Sequence, residues 1–314
     1  MAKVITVTLN PCLDVTLNLM DFQLGKVNRA EKTFLDAGGK GINVSRALKN
    51  FGVENTALGI IGGEKGKTLK RRLDAEGVTG DFLEVSGETR TNYKIFSEAT
   101  GETTDINEQG IVLHEQDINA FLELYRGYLK GAEYAVLAGS IPPRVDGSIY
   151  CRLTEMANAE GVKVILDTSG EALKKGLGAK PYAIKPNIHE FEDLLGRQMK
   201  STNDILSGIK EIESRGIELV TVSMGGDGAI FMQGDIAYKT GVLTSEIKST
   251  VGCGDSVVAG IVYSLVNGFD LKKTAMISAA AGSVTAGKDG TGMCGLDEVM
   301  ALYGNIAVDR IQFL

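Results

Sequence analysis

The chain of 314 residues has no tryptophan, only two histidines (His114 and His189), five prolines, four cysteines and 6% aromatic residues. Each shortage removes a class of function. Without tryptophan, and with few other aromatics, there is little from which to build a stacking platform for nucleic acid bases. A formal net charge of −7 argues further against a polyanion binder. If the ligand is an anion, its positive partner must be local. The four cysteines (Cys12, Cys151, Cys253, Cys294) are scattered and form no CxxC pair. With two histidines they make a zinc site improbable and read as reduced thiols of a cytoplasmic protein. Any general base is then expected to be a carboxylate. No apolar run reaches the length of a membrane span, and the stretch from Met1 to Asn10 is strand-like rather than a signal peptide.

What is abundant is glycine, with 40 residues, and it gathers at places where a helix should begin. Ser249-Thr250-Val251-Gly252-Cys253-Gly254-Asp255-Ser256 precedes apolar residues at 257, 258, 261, 262, 265 and 266, the spacing of one helical face. A helix start carries unpaired N–H groups and partial positive charge, and glycines let an anion come close. Gly252, Cys253 and Gly254 can therefore cradle a phosphoryl group while Asp255 takes a proton from an attacking hydroxyl. The plainer reading makes Asp255 an N-cap and the glycines a turn.

Asp36-Ala37-Gly38-Gly39-Lys40-Gly41-Ile42-Asn43 reads as a loop feeding a helix that starts near Asn43. There Lys40 can meet a phosphate and Asn43 can hydrogen-bond hydroxyls. Gly62-Gly63-Glu64-Lys65-Gly66-Lys67-Thr68 nearly matches a P-loop, but the first required glycine is Ile61, so a helix start with surface lysines is the better reading. Gly290 to Gly295 fits GxGxxG without a preceding strand; it reads as a loop, placed around a nucleotide base if it has a role.

The polar stretches 89–96 and 102–107 alternate as in a small antiparallel sheet with one wet face. Arg90 there can fork onto a phosphate or simply sit solvated on an edge. From residue 117 onward helices and strands alternate, the rhythm of a mostly parallel sheet covered on both faces. Ligands of such sheets gather beyond the strands' carboxyl ends. Gly139-Ser140, Asp167, Lys185-Pro186-Asn187 and Ser223 to Gly228 all fall at those ends.

Taken together, Gly38-Gly39-Lys40-Gly41-Ile42-Asn43 and Thr250 to Ser256 resemble the two signatures of the ribokinase-like (PfkB) carbohydrate kinases. The second signature carries Cys253 where alanine is usual. The resemblance spans nearly the whole chain. It implies an α/β fold, a mostly parallel central sheet with helices on both faces, as one domain over 1–314 with a discontinuous β lid from about 11–36 and 88–109. Thr8 to Asp14, Asn28-Arg29-Ala30 and Thr104 to Glu108 are similar to the branch acting on hexose phosphates. The wording Ile106-Asn107-Glu108 points within it to fructose 1-phosphate, with tagatose 6-phosphate or fructose 6-phosphate as alternatives; Gln109-Gly110 stands where that wording would continue with proline.

The resemblance implies ATP, Mg2+, a phosphorylated ketohexose and room for a monovalent cation such as K+. It places Asp14, Gly38, Gly39, Lys40, Asn43, Arg90 and Ser140 on the sugar phosphate, together with Asp255. It places Lys185, Asn187, Ser223, Gly225, Gly226, Gly228, Gly252 and Gly254 on ATP. Glu190, in Asn187-Ile188-His189-Glu190, would order Mg2+ directly or through water; its plainer role is a first-turn carboxylate. Asp255 would be the base, and the amides of Gly252, Cys253 and Gly254 the anion hole. An uncovered lid face makes a homodimer through the lid the expected assembly. A non-catalytic sugar-phosphate sensor and a P-loop ATPase are the rivals from other classes.

Overall fold

The computed structural model describes residues 4–243 and 247–312. Apolar segments buried on both faces form the centre of a ten-stranded sheet, with more polar strands at its edges. Together with a smaller sheet it comprises β1 (Val4–Thr8), β2 (Cys12–Leu19), β3 (Lys32–Gly38), β4 (Asn55–Ile61), β5 (Gly80–Glu84), β6 (Arg90–Ser97) and β7 (Glu102–Asn107), followed by β8 (Tyr134–Ala138), β9 (Lys163–Asp167), β10 (Ala183–Ile184), β11 (Leu219–Ser223), β12 (Ala229–Gln233), β13 (Ile236–Thr240) and β14 (Val308–Ile311). The large sheet runs β14-β13-β12-β11-β10-β9-β8-β1-β4-β5. Its pairs are parallel from β5 to β11 and antiparallel from β11 to β14. The expected mostly parallel sheet is thus present, with an antiparallel margin.

The helices are α1 (Lys40–Asn50), α2 (Gly63–Ala75), α3 (Glu115–Leu129), α4 (Ile149–Ala159), α5 (Gly170–Gly176), α6 (Ile188–Leu195), α7 (Thr202–Glu213), α8 (Cys253–Val266), α9 (Leu271–Ala286) and α10 (Leu296–Tyr303). They cover both faces, as the strand alternation requires. Ile5 and Val7 of β1, with Leu137 of β8, pack toward α3 to α7 through Phe121, Leu153, Phe191 and Ile209. Val136 and Ala138 pack the other way, against Val44 of α1, Val258 of α8 and Ala280 of α9. Among the described residues no helix is long and apolar enough to cross a membrane.

The second sheet is four-stranded, in the order β3-β2-β6-β7. Each of its hairpins is antiparallel, and the two meet through β2 and β6, which run parallel. Its base is tied to the body where Leu13, Ala37 and Ile42 pack with Leu69 and Leu73 of α2. Asp14, Asn92 and Asn107 form one cross-strand row, and Cys12 faces Arg90 one step toward the body. The polar character of these strands therefore has a direction: alternate side chains line a single face above the carboxyl ends of β1 and β8.

Candidate functional site

Two cavities open at the carboxyl edge of the large sheet. The first has a volume of about 380 Å3, and its wall includes Asn10, Asp14, Gly39, Lys40, Asn43, Arg90, Ser140, Glu190 and Asp255. The second, of about 250 Å3, is walled by Ser223, Gly225, Gly226, Gly228, Thr250, Cys253 and Gly254, with apolar Val242, Ile247 and Val257. The turn at 250–255 stands between them. Val251 and Asp255 belong to the first wall, while Thr250, Cys253 and Gly254 belong to the second.

The sequence builds this turn locally. Gly252 caps α8 with φ of 77°, in the left-handed region that disfavours side chains. A Cβ there would lie 2.4 Å from Cε of Met293. The first helical bond runs from Ser256 N–H to the Gly252 carbonyl at 2.8 Å, so the amides of Cys253, Gly254 and Asp255 precede the ladder. Asp255 is not the cap that the plainer reading made it. It is the third helical residue, inside the first turn and only 6% exposed.

A second helix start meets the first. Its helix begins at Lys40, three residues earlier than the glycine pattern suggested. Gly41 belongs to the first turn because it lies on β1, where a Cβ would come within 2.6 Å of the Val7 carbonyl. This close approach turns Asn43 toward the other helix, and its Nδ2 donates to Asp255 Oδ2 at 2.8 Å. Gly38 lines neither cavity, and it leaves room for the Asp14 carboxylate, which would be 2.4 Å from a Cβ at that position.

Below this junction lies a buried charge cluster. Asp167, at the end of β9, accepts from Lys40 Nζ at 3.2 Å and pairs with Lys185 Nζ at 3.4 Å. Burial pushes the Asp167 carboxyl up, but Lys185 and Lys40 outweigh it and hold it below the usual carboxylate range. Burial works against the Lys40 ammonium, yet Asp167, Asp255 and Glu190 keep it firmly protonated. Asp255 goes the other way. Burial raises its carboxyl to about 6, with Asp167 adding repulsion, while Lys40, Asn43 and Lys185 restrain the rise. A buried carboxylate with a pKa near neutrality is a competent proton acceptor at neutral pH.

The remaining expected residues divide by location. Arg90 lines the first cavity and donates from Nε to the Asn10 carbonyl at 3.1 Å, from Nη1 to the Glu108 carbonyl and from Nη2 to Ser140 Oγ at 3.4 Å. Lys185, Asn187 and Gly252 line neither cavity. Lys185 instead stands beneath Gly254, whose Cβ position is 3.3 Å from Nζ. Asn187 and Glu190 cap α6 reciprocally, each side chain accepting the other's N–H at 2.9 Å. Glu190 Oε2 is engaged there, and among the described residues the other oxygen has no hydrogen-bond donor and could meet a cation. Mg2+ typically takes one or two protein carboxylates, the rest of its shell being water and phosphate oxygens. Glu190 fits that donor set, although among the described residues no three metal-ligating side chains form a cage.

Two weak motifs are accounted for without a ligand. The start of α2, the near P-loop, already holds an anion of its own chain: Glu88 Oε1 accepts the Lys65 N–H at 2.6 Å, and Lys67 pairs with Glu64. The GxGxxG loop lines neither cavity. It backs the junction, with the Thr291 carbonyl accepting from Arg46 Nη1 at 3.0 Å and Met293 against Gly252. Asn10 and Asn107, from stretches that carry the resemblance, also line the first cavity, as do Asn92 and Lys94, which the motifs did not single out. Positions 90, 92 and 94 alternate along β6, a signal that becomes readable only once the face of that strand is known.

Comparisons with known proteins identify the family. Residues 7–298 match the model of the pfkB family carbohydrate kinases. The 1-phosphofructokinase of Bacillus subtilis is 38% identical over 281 residues, covering 90% of this chain and 91% of that one. The 1-phosphofructokinase of Borreliella burgdorferi is 38% identical over 312 residues, 98% of both chains. Among solved structures, phosphofructokinase-2 from Escherichia coli in complex with substrates and products is similar with a TM-score of 0.92 and 30% identity, over 96% of this chain and 99% of that one.

Proposed function

Since the chain belongs to the pfkB family of carbohydrate kinases, we propose that it transfers the γ-phosphoryl group of ATP to fructose 1-phosphate, giving fructose 1,6-bisphosphate. The observation that carries this reading is the turn at 250–255 standing between the two cavities. A sugar phosphate in the first cavity and ATP in the second would face each other across it. Both curated relatives named above carry the same activity in their names.

In this reading Asp255 accepts the proton of the attacking hydroxyl, and Asn43 holds its carboxylate in place. The amides of Gly252, Cys253 and Gly254 stabilise the equatorial oxygens of the transferring group, where charge develops. Lys40 supplies positive charge on the sugar side, and Asp167 keeps it aimed. Asp14, Gly39, Asn43, Arg90 and Ser140 hold the sugar phosphate. Ser223, Gly225, Gly226 and Gly228 line the nucleotide cavity, with Lys185 and Asn187 acting from behind it. Mg2+ would be held through Glu190 and supplies charge neutralisation on the phosphates when bound. The Cys253 thiol is pushed up to about 11 by burial, so it stays protonated and takes no nucleophilic part.

The four-stranded sheet serves as a lid that excludes water from the transfer. Ile106, on the face of this sheet turned away from the Asp14 row, is 52% exposed, and a second copy of the chain covers it. The working compartment is the cytoplasm. A coupled ADP-release assay tests the whole reading, with fructose 1-phosphate, tagatose 6-phosphate and fructose 6-phosphate side by side. ADP released only with a sugar phosphate, and fastest with fructose 1-phosphate, is the expected result. ADP without sugar, or none at all, overturns it. The same assay in K+ and in Na+ tests the monovalent-cation requirement.

A further inference from the structure

We infer that Lys94 is a substrate-contacting residue that, paired with Asp14, reads the sugar portion of the sugar phosphate. The inference rests on the kinase reading above and adds to it a recognition group for the acceptor. Lys94 lies on β6 four residues beyond Arg90, on the same face of the strand. Its side chain is 12% exposed, and it lines the first cavity. Nζ is 3.2 Å from Asp14 Oδ2. The other Asp14 oxygen accepts from Asn92 Nδ2 at 3.2 Å.

An ammonium has three donors. Among the described residues Lys94 spends one of them, on Asp14, and the other two belong to a group that is nearly buried in a cavity wall. Desolvating a lysine is costly unless its donors are used, and oxygens of a bound polyol phosphate would use them. Arg90 leans away, toward Asn10, Glu108 and Ser140. The two cations of the strand therefore mark different parts of one ligand: Arg90 the phosphate end, Lys94 the carbon skeleton beside Asp14. An adjacent carboxylate and ammonium suit neighbouring hydroxyls, one donating to Asp14 and the next accepting from Lys94.

The test is a double-mutant cycle on Asp14→Asn and Lys94→Met, run on whichever ketohexose phosphate the parent phosphorylates. Choice of substrate is settled on the parent alone, so failure of the fructose 1-phosphate reading is seen before any variant is made. Lys94→Met is expected to raise the sugar phosphate KM about 10- to 100-fold, the worth of a charged hydrogen bond, with the ATP KM near parental. Adding Lys94→Met to Asp14→Asn should raise KM about tenfold again. If the double variant instead matches Asp14→Asn, Lys94 acts only by holding Asp14, and the inference fails. It fails equally if Lys94→Met leaves KM unchanged. Should Lys94→Met not fold, Lys94→Gln enters the same cycle with the same criteria.

Discussion

Asp255 is where activity and stability pull against each other. Its carboxyl rises from 3.8 to about 6 on burial, so the folded chain holds the proton more tightly than the unfolded one. Below the unfolded value this costs nothing. As pH climbs through about 6 the folded state loses stability, by about 3 kcal/mol in all at 1.36 kcal/mol per unit. Asp255→Asn should therefore melt higher than the parent at pH 8 and close to it at pH 4, as followed by circular dichroism. The same variant should lose roughly 10²-fold or more in kcat while keeping its affinity for ATP; near-parental turnover would remove Asp255 from the mechanism. In the parent, kcat/KM for the sugar phosphate should be flat above pH 7 and fall about tenfold per pH unit below about 6. The motif marked Asp255 as a base from sequence, but not its pKa. That depends first on burial, and then on Lys40, Asp167 and Asn43, more than 80 residues away along the chain.

At the scale of the element, the start of α8 depends on one backbone conformation. Gly252→Ala would meet Met293 and also force a side chain into the left-handed region. A loss of about 1–3 kcal/mol in denaturant melts is expected, with a fall in kcat because the amides turn away. Met293→Ala in that background should recover part of the stability, since it relieves the contact but not the torsion. The beginning of α2 gives the opposite case. Its lysines face solvent and its N-terminus holds Glu88, so Lys67→Ala should keep ADP release within about twofold of the parent. A large loss would restore the P-loop rival. Both helix starts are glycine-rich in sequence. What separates them is the residue each one faces, and no local pattern records that.

At the scale of the molecule, the small sheet presents its polar row to the cavity, and Ile106, exposed on the opposite face, is available to a second copy. Sedimentation equilibrium should give a dimer for the parent, and Ile106→Glu should shift the equilibrium toward monomer at the same concentration. A parent that sediments as a monomer across the micromolar range would overturn that assembly.

The sequence alone determined the alternation of strands and helices, the mostly parallel sheet and the two glycine-rich helix starts, because each rests on local periodicity or backbone freedom. Tertiary structure decided the rest. It set α1 to begin at Lys40, through the contact of Gly41 with β1, and placed Asp255 inside its helix rather than at the cap. It also brought Lys94 and Asn92 to the cavity and left Lys185 behind its wall. Those outcomes depend on strand register and on the packing of one helix start against another, distances that a chain sets only when distant segments meet.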